Sequence, residues 1–226
     1  MDGCGVHHFR LFLNCKVEMK KTFYILMLAL MLPFLRAEAQ GNSDAQIKQQ
    51  INKIAASLKT MQCDFVQTKH LKMLNNNVTS QGRMYYQQSD RLRWEYQKPY
   101  SYVFILNKDK VVIKNSKRKD VIDVNQNKVF REIARIMMSS MVGSCLSDEK
   151  SFKTTIATTN TEWVATMIPV RKEMKQMFQK VILHFSRQKS YVTKVELLEK
   201  NGDKTTIDLK NVRVNETVSP SLFAVN

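Results

Sequence analysis

The chain is short of the residue types that build most catalytic and cofactor sites. It has six glycines, four prolines, four cysteines and four histidines in 226 residues. So few glycines leave no phosphate-cradling loop and no dinucleotide fingerprint, and neither a G-x-S-x-G elbow nor an H-E-x-x-H helix occurs. No cofactor is expected. Cys63 and Cys145 are the only cysteines beyond the first forty residues, far apart and in no metal-ligand spacing. They can pair in an oxidising compartment or remain two buried thiols. His70 and His184 each fall on an expected strand with no partner at triad or ligand spacing, as structural histidines do. Asp90 with Glu95, and Glu196 with Glu199, are the available carboxylate pairs, but all lie among lysines and arginines and read as surface charge. The expectation is a protein that is not an enzyme.

Long apolar runs are equally scarce. The single one, residues 22 to 35, follows Met19-Lys20-Lys21 and precedes Ala37-Glu38-Ala39. A positive start, a short apolar stretch and a small-x-small site together describe a secretory signal peptide starting at Met19 and cut before Gln40. Residues 1–39 are then an upstream extension plus signal peptide, and residues 40–226 a single domain. No cysteine follows the cleavage site, so there is no lipid-attachment box, and a periplasmic, soluble, monomeric product is expected. That product keeps almost all of the +16 charge. Secretion takes it away from nucleic acid, which leaves an anionic lipid surface or an acidic partner as the match for this charge, or simple solubility as its purpose.

What is present is alternation. In the stretch Gln81–Tyr102, Leu92, Trp94 and Tyr96 alternate with Arg91, Arg93, Glu95 and Gln97, the period of a strand wet on one side. Ahead of it, Ile47, Ile51, Ile54, Ala55 and Leu58 share one face of a helix capped at Ser43 or Asp44 and ending near Met61. From Cys63 onward, period-two segments separated by short polar turns predict strands at 63–74, 80–87, 91–97, 101–107, 110–116 and 119–124. After a break they resume at 151–159, 162–170, 176–186, 190–199 and 204–214. Connections this short require antiparallel pairing. The break carries a helical stripe, Phe130, Ile133, Ala134, Met137 and Met141, stopped by Gly143. The expected fold class is α+β, mainly β: one curled antiparallel sheet of about eleven strands, covered by an N-terminal helix and a Met-rich helix inserted mid-sheet. Methionines at helical spacing serve equally as plain core or as a soft lid that repacks around guests. Pro220-Ser221-Leu222-Phe223 makes a closing turn that tucks an aromatic against the sheet.

These residues resemble a known family. An amphipathic helix leading into Cys63-Asp64-Phe65-Val66-Gln67, Gly82 in the second strand, and Arg91-Leu92-Arg93-Trp94-Glu95-Tyr96 followed by Pro99 match the order and spacing of the periplasmic outer-membrane lipoprotein carriers, the LolA-like family. The resemblance implies a half-barrel closed by a helical lid, in a Gram-negative periplasm. It implies binding without catalysis: lipoprotein acyl chains are taken from an inner-membrane releasing transporter and delivered to an outer-membrane acceptor. On that reading Phe65, Met84, Tyr86, Leu92, Trp94, Tyr96, Val103 and Ile105 line the trough, and Ile133, Met137 and Met141 lie on the lid. Where the family places a basic residue before the turn between the second and third strands, thought to latch the lid, this chain has Gln88 and Ser89. Arg91 or Arg93 then stands in as the latch. The same trough would suit another amphiphile, such as a glycolipid or envelope lipid precursor, or a lipid-sensing regulatory module.

Overall fold

A computed structural model describes residues 39–88, 90–126, 138–139 and 143–225, with side chains from Asp44 onward. The chain divides into two compact units, Met1–Ser43 and Asp44–Asn226. Every buried apolar residue described lies in the second, which therefore contains its own core. Among the described residues no helix is long and apolar enough to cross a membrane.

Helix α1 (Ala39–Ser57) leads into eleven strands. They are β1 (Thr60–Leu71), β2 (Asn76–Gln87), β3 (Arg91–Lys98), β4 (Tyr102–Asn107), β5 (Lys110–Asn115), β6 (Lys119–Asp123), β7 (Phe152–Thr158), β8 (Glu162–Pro169), β9 (Phe178–Ser186), β10 (Val192–Glu199) and β11 (Lys204–Val214). A short helix α2 (Lys172–Met177) joins β8 to β9. The number of strands agrees with the expectation and all described pairings are antiparallel.

Three local departures have plain causes. α1 begins at Ala39 and ends at Ser57, so Ser43 and Asp44 lie inside it, and Met61 belongs to β1. The Asp44 carboxylate accepts a hydrogen bond from Ile156 N in β7, at 3.4 Å, instead of capping the helix. The strand expected at 176–186 begins at Phe178 instead, because Lys172–Met177 form a short helix that buries Met174 completely.

The order of strands across the sheet is β6-β5-β4-β3-β2-β1-β11-β10-β9-β8-β7. β1 pairs with β11, so the first and last strands meet in the middle, while β6 and β7, consecutive in sequence, form the two edges. Residues 124–151 must therefore pass from one edge to the other. A flat sheet of this width would hold those edges about 48 Å apart at ~4.8 Å per strand. Here one continuous core includes Val111 and Val124 near the first edge, Phe152 and Trp163 near the second, and Ile47 and Ile51 of α1. Both edges reach the same core only if the sheet curls around it, as the twist of a wide antiparallel sheet favours.

The crossing segment is anchored at both ends in that core, by Val124 and by Cys145 and Leu146 in the 3-10 turn Ser144–Ser147. Between them Met138, helical and half-buried, packs on the same core. Gly143 ends this passage in the left-handed region (φ 76°), where a Cβ would come within 2.7 Å of Ile51 Cγ2 and 2.9 Å of Phe185 Cε1. Only glycine allows the chain to turn against α1 and β9 so closely.

Candidate functional site

The inner face of the curled sheet is built by parity. β1 contributes Met61, Cys63 and Phe65; β2 contributes Met84 and Tyr86; β3 contributes Leu92, Trp94 and Tyr96. The register places Cys63 opposite Met84 and Met84 opposite Trp94, so these side chains form rows across the strands. Phe65, Met84, Tyr86, Leu92 and Trp94 are each at most 6% exposed. Phe65 is the hub: its ring lies 4.4 Å from Trp94, tilted, and 5.2 Å from Tyr96, edge-on, and Tyr96 continues to Tyr102 at 5.8 Å. Six of the eight expected trough residues are thus brought onto one face.

Val103 and Ile105 are not among them. Trp94 pairs with Phe104 and Leu92 with Leu106, which puts Phe104 and Leu106 on the inner face and turns Val103 and Ile105 outward. The segment Tyr102-Val103-Phe104-Ile105-Leu106 is apolar throughout because both of its faces are buried, and alternation cannot choose a face in such a run. On the outside, Ile105 and Val112 are covered by the C-terminal segment, where Pro220–Phe223 forms a 3-10 turn and Phe223 is 1% exposed.

The same parity removes both latch candidates. Arg93 points outward, held by Glu95 at 2.9 Å, and donates to the Leu222 carbonyl at 3.2 Å. Arg91 is on that side too and donates to Gln87 Oε1. Neither reaches the inner face, and both act in the outer layer. Ile133, Met137 and Met141 lie outside the described residues.

Polar groups on the inner face are few. The Trp94 indole N–H is buried and makes no hydrogen bond, and Thr154 Oγ1 shares that condition. The Tyr96 hydroxyl donates to Gln67 Oε1 at 2.9 Å, and burial keeps its pKa above the usual phenol value. Cys63 and Cys145 are buried and form no disulfide, and the Cys145 thiol donates to Met167 Sδ at 3.8 Å. Burial, and secondarily the adjacent Asp64 charge, pushes the Cys63 thiol up to about 12, so it is inert at neutral pH.

The outer face corrects the reading of His184 as a residue without partners. Its Nδ1 lies 3.1 Å from Glu162 Oε2 and its Nε2 3.0 Å from Glu196 Oε1, and Lys204 Nζ closes the row at 2.5 Å from Glu196 Oε2. Strands β8 to β11 bring these four together from distant points in sequence. Glu199 is engaged elsewhere, with Lys69 at 2.8 Å. Lys204, and then His184, hold the Glu196 carboxyl below the usual carboxylate range despite some desolvation. A folded-state pKa below the unfolded value stabilises fully above the ordinary carboxylate pKa and is lost as pH falls through the lowered one. Glu196→Gln should therefore cost about 1 kcal/mol at neutral pH, discounted for partial exposure. Urea melts of the two proteins should converge as the pH is taken below about 4.

The comparisons with known proteins agree with this geometry. The family model described as outer membrane lipoprotein carrier protein LolA matches residues 56–226. The outer-membrane lipoprotein carrier protein of Chromobacterium violaceum is 25% identical over 212 residues, covering 91% of this chain and 94% of the relative. That of Nitrosospira multiformis is 24% identical over 166 residues, covering 73% and 77%. Among solved structures, a chain of the Pseudomonas aeruginosa MucA/MucB complex shares the fold with a TM-score of 0.50 at 13% identity, over 79% of this chain and 60% of that one. This chain thus spans less than two thirds of that chain's length. With the family model covering β1 through β11 and the closing turn, the chain belongs to the LolA family of outer membrane lipoprotein carrier proteins.

Proposed function

We propose that the inner face of the sheet shelters the acyl chains of lipoproteins, and that the protein carries them through the periplasm, after signal-peptide cleavage, from an inner-membrane releasing transporter to an outer-membrane acceptor. The observation that carries this reading is the single inner face, reached by both edges of the curled sheet, that is lined by Phe65, Met84, Leu92, Trp94 and Tyr96 and packed by Met138 and Leu146. Met61, Met84, Met138, Met167 and Met174 supply adaptable side chains around the same core.

The energetics favour such a device. An acyl chain of about sixteen carbons has on the order of 12 kcal/mol of transfer free energy at stake in water. A carrier has to shelter that surface and still release it, which aromatic and thioether linings permit better than a close-fitted aliphatic core. The chemistry on this face needs no catalytic group; Trp94 Nε1 and Thr154 Oγ1 are single polar atoms among apolar neighbours.

Delipidated protein titrated with a fluorescent fatty acid should take it up at about one to a few chains per molecule, with quenching or a shift of Trp94 emission. Native mass spectrometry of freshly isolated protein should show co-purified acyl-chain mass. No uptake together with unchanged tryptophan emission would rule the reading out, and a co-purified glycolipid would replace lipoprotein as the cargo.

A further inference from the structure

The three most exposed large apolar side chains among the described residues gather at one end of the sheet. Met73 and Leu74, at the tip of the β1–β2 hairpin, are 95% and 71% exposed, and Tyr100, in the β3–β4 turn, is 83% exposed. The hairpin is long. β2 pairs with β3 only from Gln81 to Gln87, so Asn76–Ser80 run on past the end of β3. At ~3.3 Å per residue the tip stands about 16 Å beyond that pairing.

This tip is braced. On its other flank β1 pairs with β11 as far as His70 and Lys204. Asp203 Oδ1 accepts from Lys72 N at 2.9 Å, and Lys69 Nζ sits 2.8 Å from Glu199. The Lys72 stem runs so close over Gly202 that a Cβ there would come within 2.6 Å of it. Asn75, in the left-handed region (φ 44°), completes the turn by donating its N–H to the Lys72 carbonyl. Two adjacent apolar side chains are thus held out into water on a supported projection, whereas isolated exposed apolar residues on a surface need no explanation.

Cations surround the projection. The turns at this end carry Lys98, Lys117 and Lys200, and Arg118, which is paired with Asp120 at 2.7 Å. The turns at the opposite end mix Asp90 and Asp109 with Lys108, Arg187 and Lys189, so what sets this end apart is the apolar projection among its cations. Acids near the tip are already engaged, Glu199 and Asp203 by Lys69. An apolar projection among cations matches the interface of an anionic bilayer, where thioether and leucine side chains reach the acyl boundary and ammonium groups meet headgroup phosphates.

We propose that this end of the sheet docks on an anionic lipid bilayer, with Met73 and Leu74 inserted and the basic turns held against the headgroups. Docking needs nothing from the inner face, so it is tested separately from cargo uptake. The chain from Gln40 onward, which includes the whole described core, is sedimented with vesicles of phosphatidylcholine alone or with about 30% phosphatidylglycerol added. Binding to the anionic vesicles should be at least about tenfold tighter and should weaken with added salt. Met73→Ser with Leu74→Ser should weaken it about tenfold or more, and so should Lys98→Gln with Lys117→Gln and Arg118→Gln. These side chains are exposed, so circular dichroism of both variants should match the parent.

Absence of binding to anionic vesicles overturns the proposal, including the case in which only an acidic protein is retained. Equal binding by the Met73/Leu74 variant overturns it as well. Lipid recovered with the unbound protein, and no protein on the vesicles, would support cargo uptake while excluding docking. Protein on the vesicles without bound fatty acid would do the reverse.

Discussion

Gly82→Ala should destabilise the protein by about 3 kcal/mol or more, the range reached when a core is overpacked against backbone that cannot move. An alanine Cβ at this position would overlap the Glu95 carbonyl oxygen and lie 2.7 Å from Phe65 Cζ. The ring could turn aside; the carbonyl belongs to the β3 ladder and cannot. Gly82 also sits beside a register shift, for Gln81 pairs with Lys98 but Gly82 with Tyr96, leaving Gln97 as the extra residue. The bulge and the missing side chain together let β3 approach β2 closely enough for Phe65 to lie against both Trp94 and Tyr96. Equilibrium urea unfolding measures the loss. A cost below about 1 kcal/mol would show that β3 can retreat, and that the Phe65 cluster does not depend on its closeness.

How much of this was legible beforehand depends on which force set each residue. Where one face of a strand is wet, alternation identifies the other face. Leu92, Trp94 and Tyr96 in β3, and Met84 and Tyr86 in β2, are found on the inner face for that reason. In β4 both faces are buried, one by the core and one by the C-terminal turn, so Val103 and Ile105 look the same in sequence as Phe104 and Leu106. Only the pairing of Trp94 with Phe104 tells them apart. The C-terminal turn itself was readable as a tucked aromatic, but the face it would cover was not, since nothing local to Phe223 specifies a partner more than a hundred residues away.

Long-range pairing explains the polar misreadings too. His184 has no neighbour of interest within its own strand, and its carboxylate partners arrive from β8 and β10. Arg91 and Arg93 were candidates for the latch because they are the basic residues next after Gln88 and Ser89, but they alternate with Leu92 and Trp94 and so lie on the opposite face. The aromatic hub could have been anticipated further than it was. Phe65, Gly82 and Tyr96 form a cross-strand line, Phe65 opposite Gly82 and Gly82 opposite Tyr96, and a glycine between two aromatics marks a place where rings need its space.

Trp94 separates packing from lining more sharply than any other position. It is 4% exposed, stacks on Phe65 at 4.4 Å, and buries an indole N–H without a hydrogen-bond partner. Trp94→Ala should cost about 3–5 kcal/mol, from lost transfer free energy and the void left beside Phe65. Trp94→Phe keeps most of the ring contact and removes the unpaired donor, whose burial costs about 1–3 kcal/mol, so the net loss should stay under about 1.5 kcal/mol. The two variants then divide over cargo. If this face lines a carrier site, Trp94→Phe should take up fatty acid nearly as the parent does, and Trp94→Ala, at a temperature where it remains folded, should bind with altered chain-length preference because its void accepts more of the chain. If the face is only a core, both variants should differ in unfolding midpoint alone, with no fatty-acid uptake by either or by the parent. Unfolding in urea followed by circular dichroism, beside fatty-acid titrations on the same preparations, reads both quantities. An unpaired donor that stabilised nothing in the empty protein, yet whose removal weakened uptake of esterified chains more than of free alkanes, would identify Trp94 Nε1 as the group that meets an acyl carbonyl.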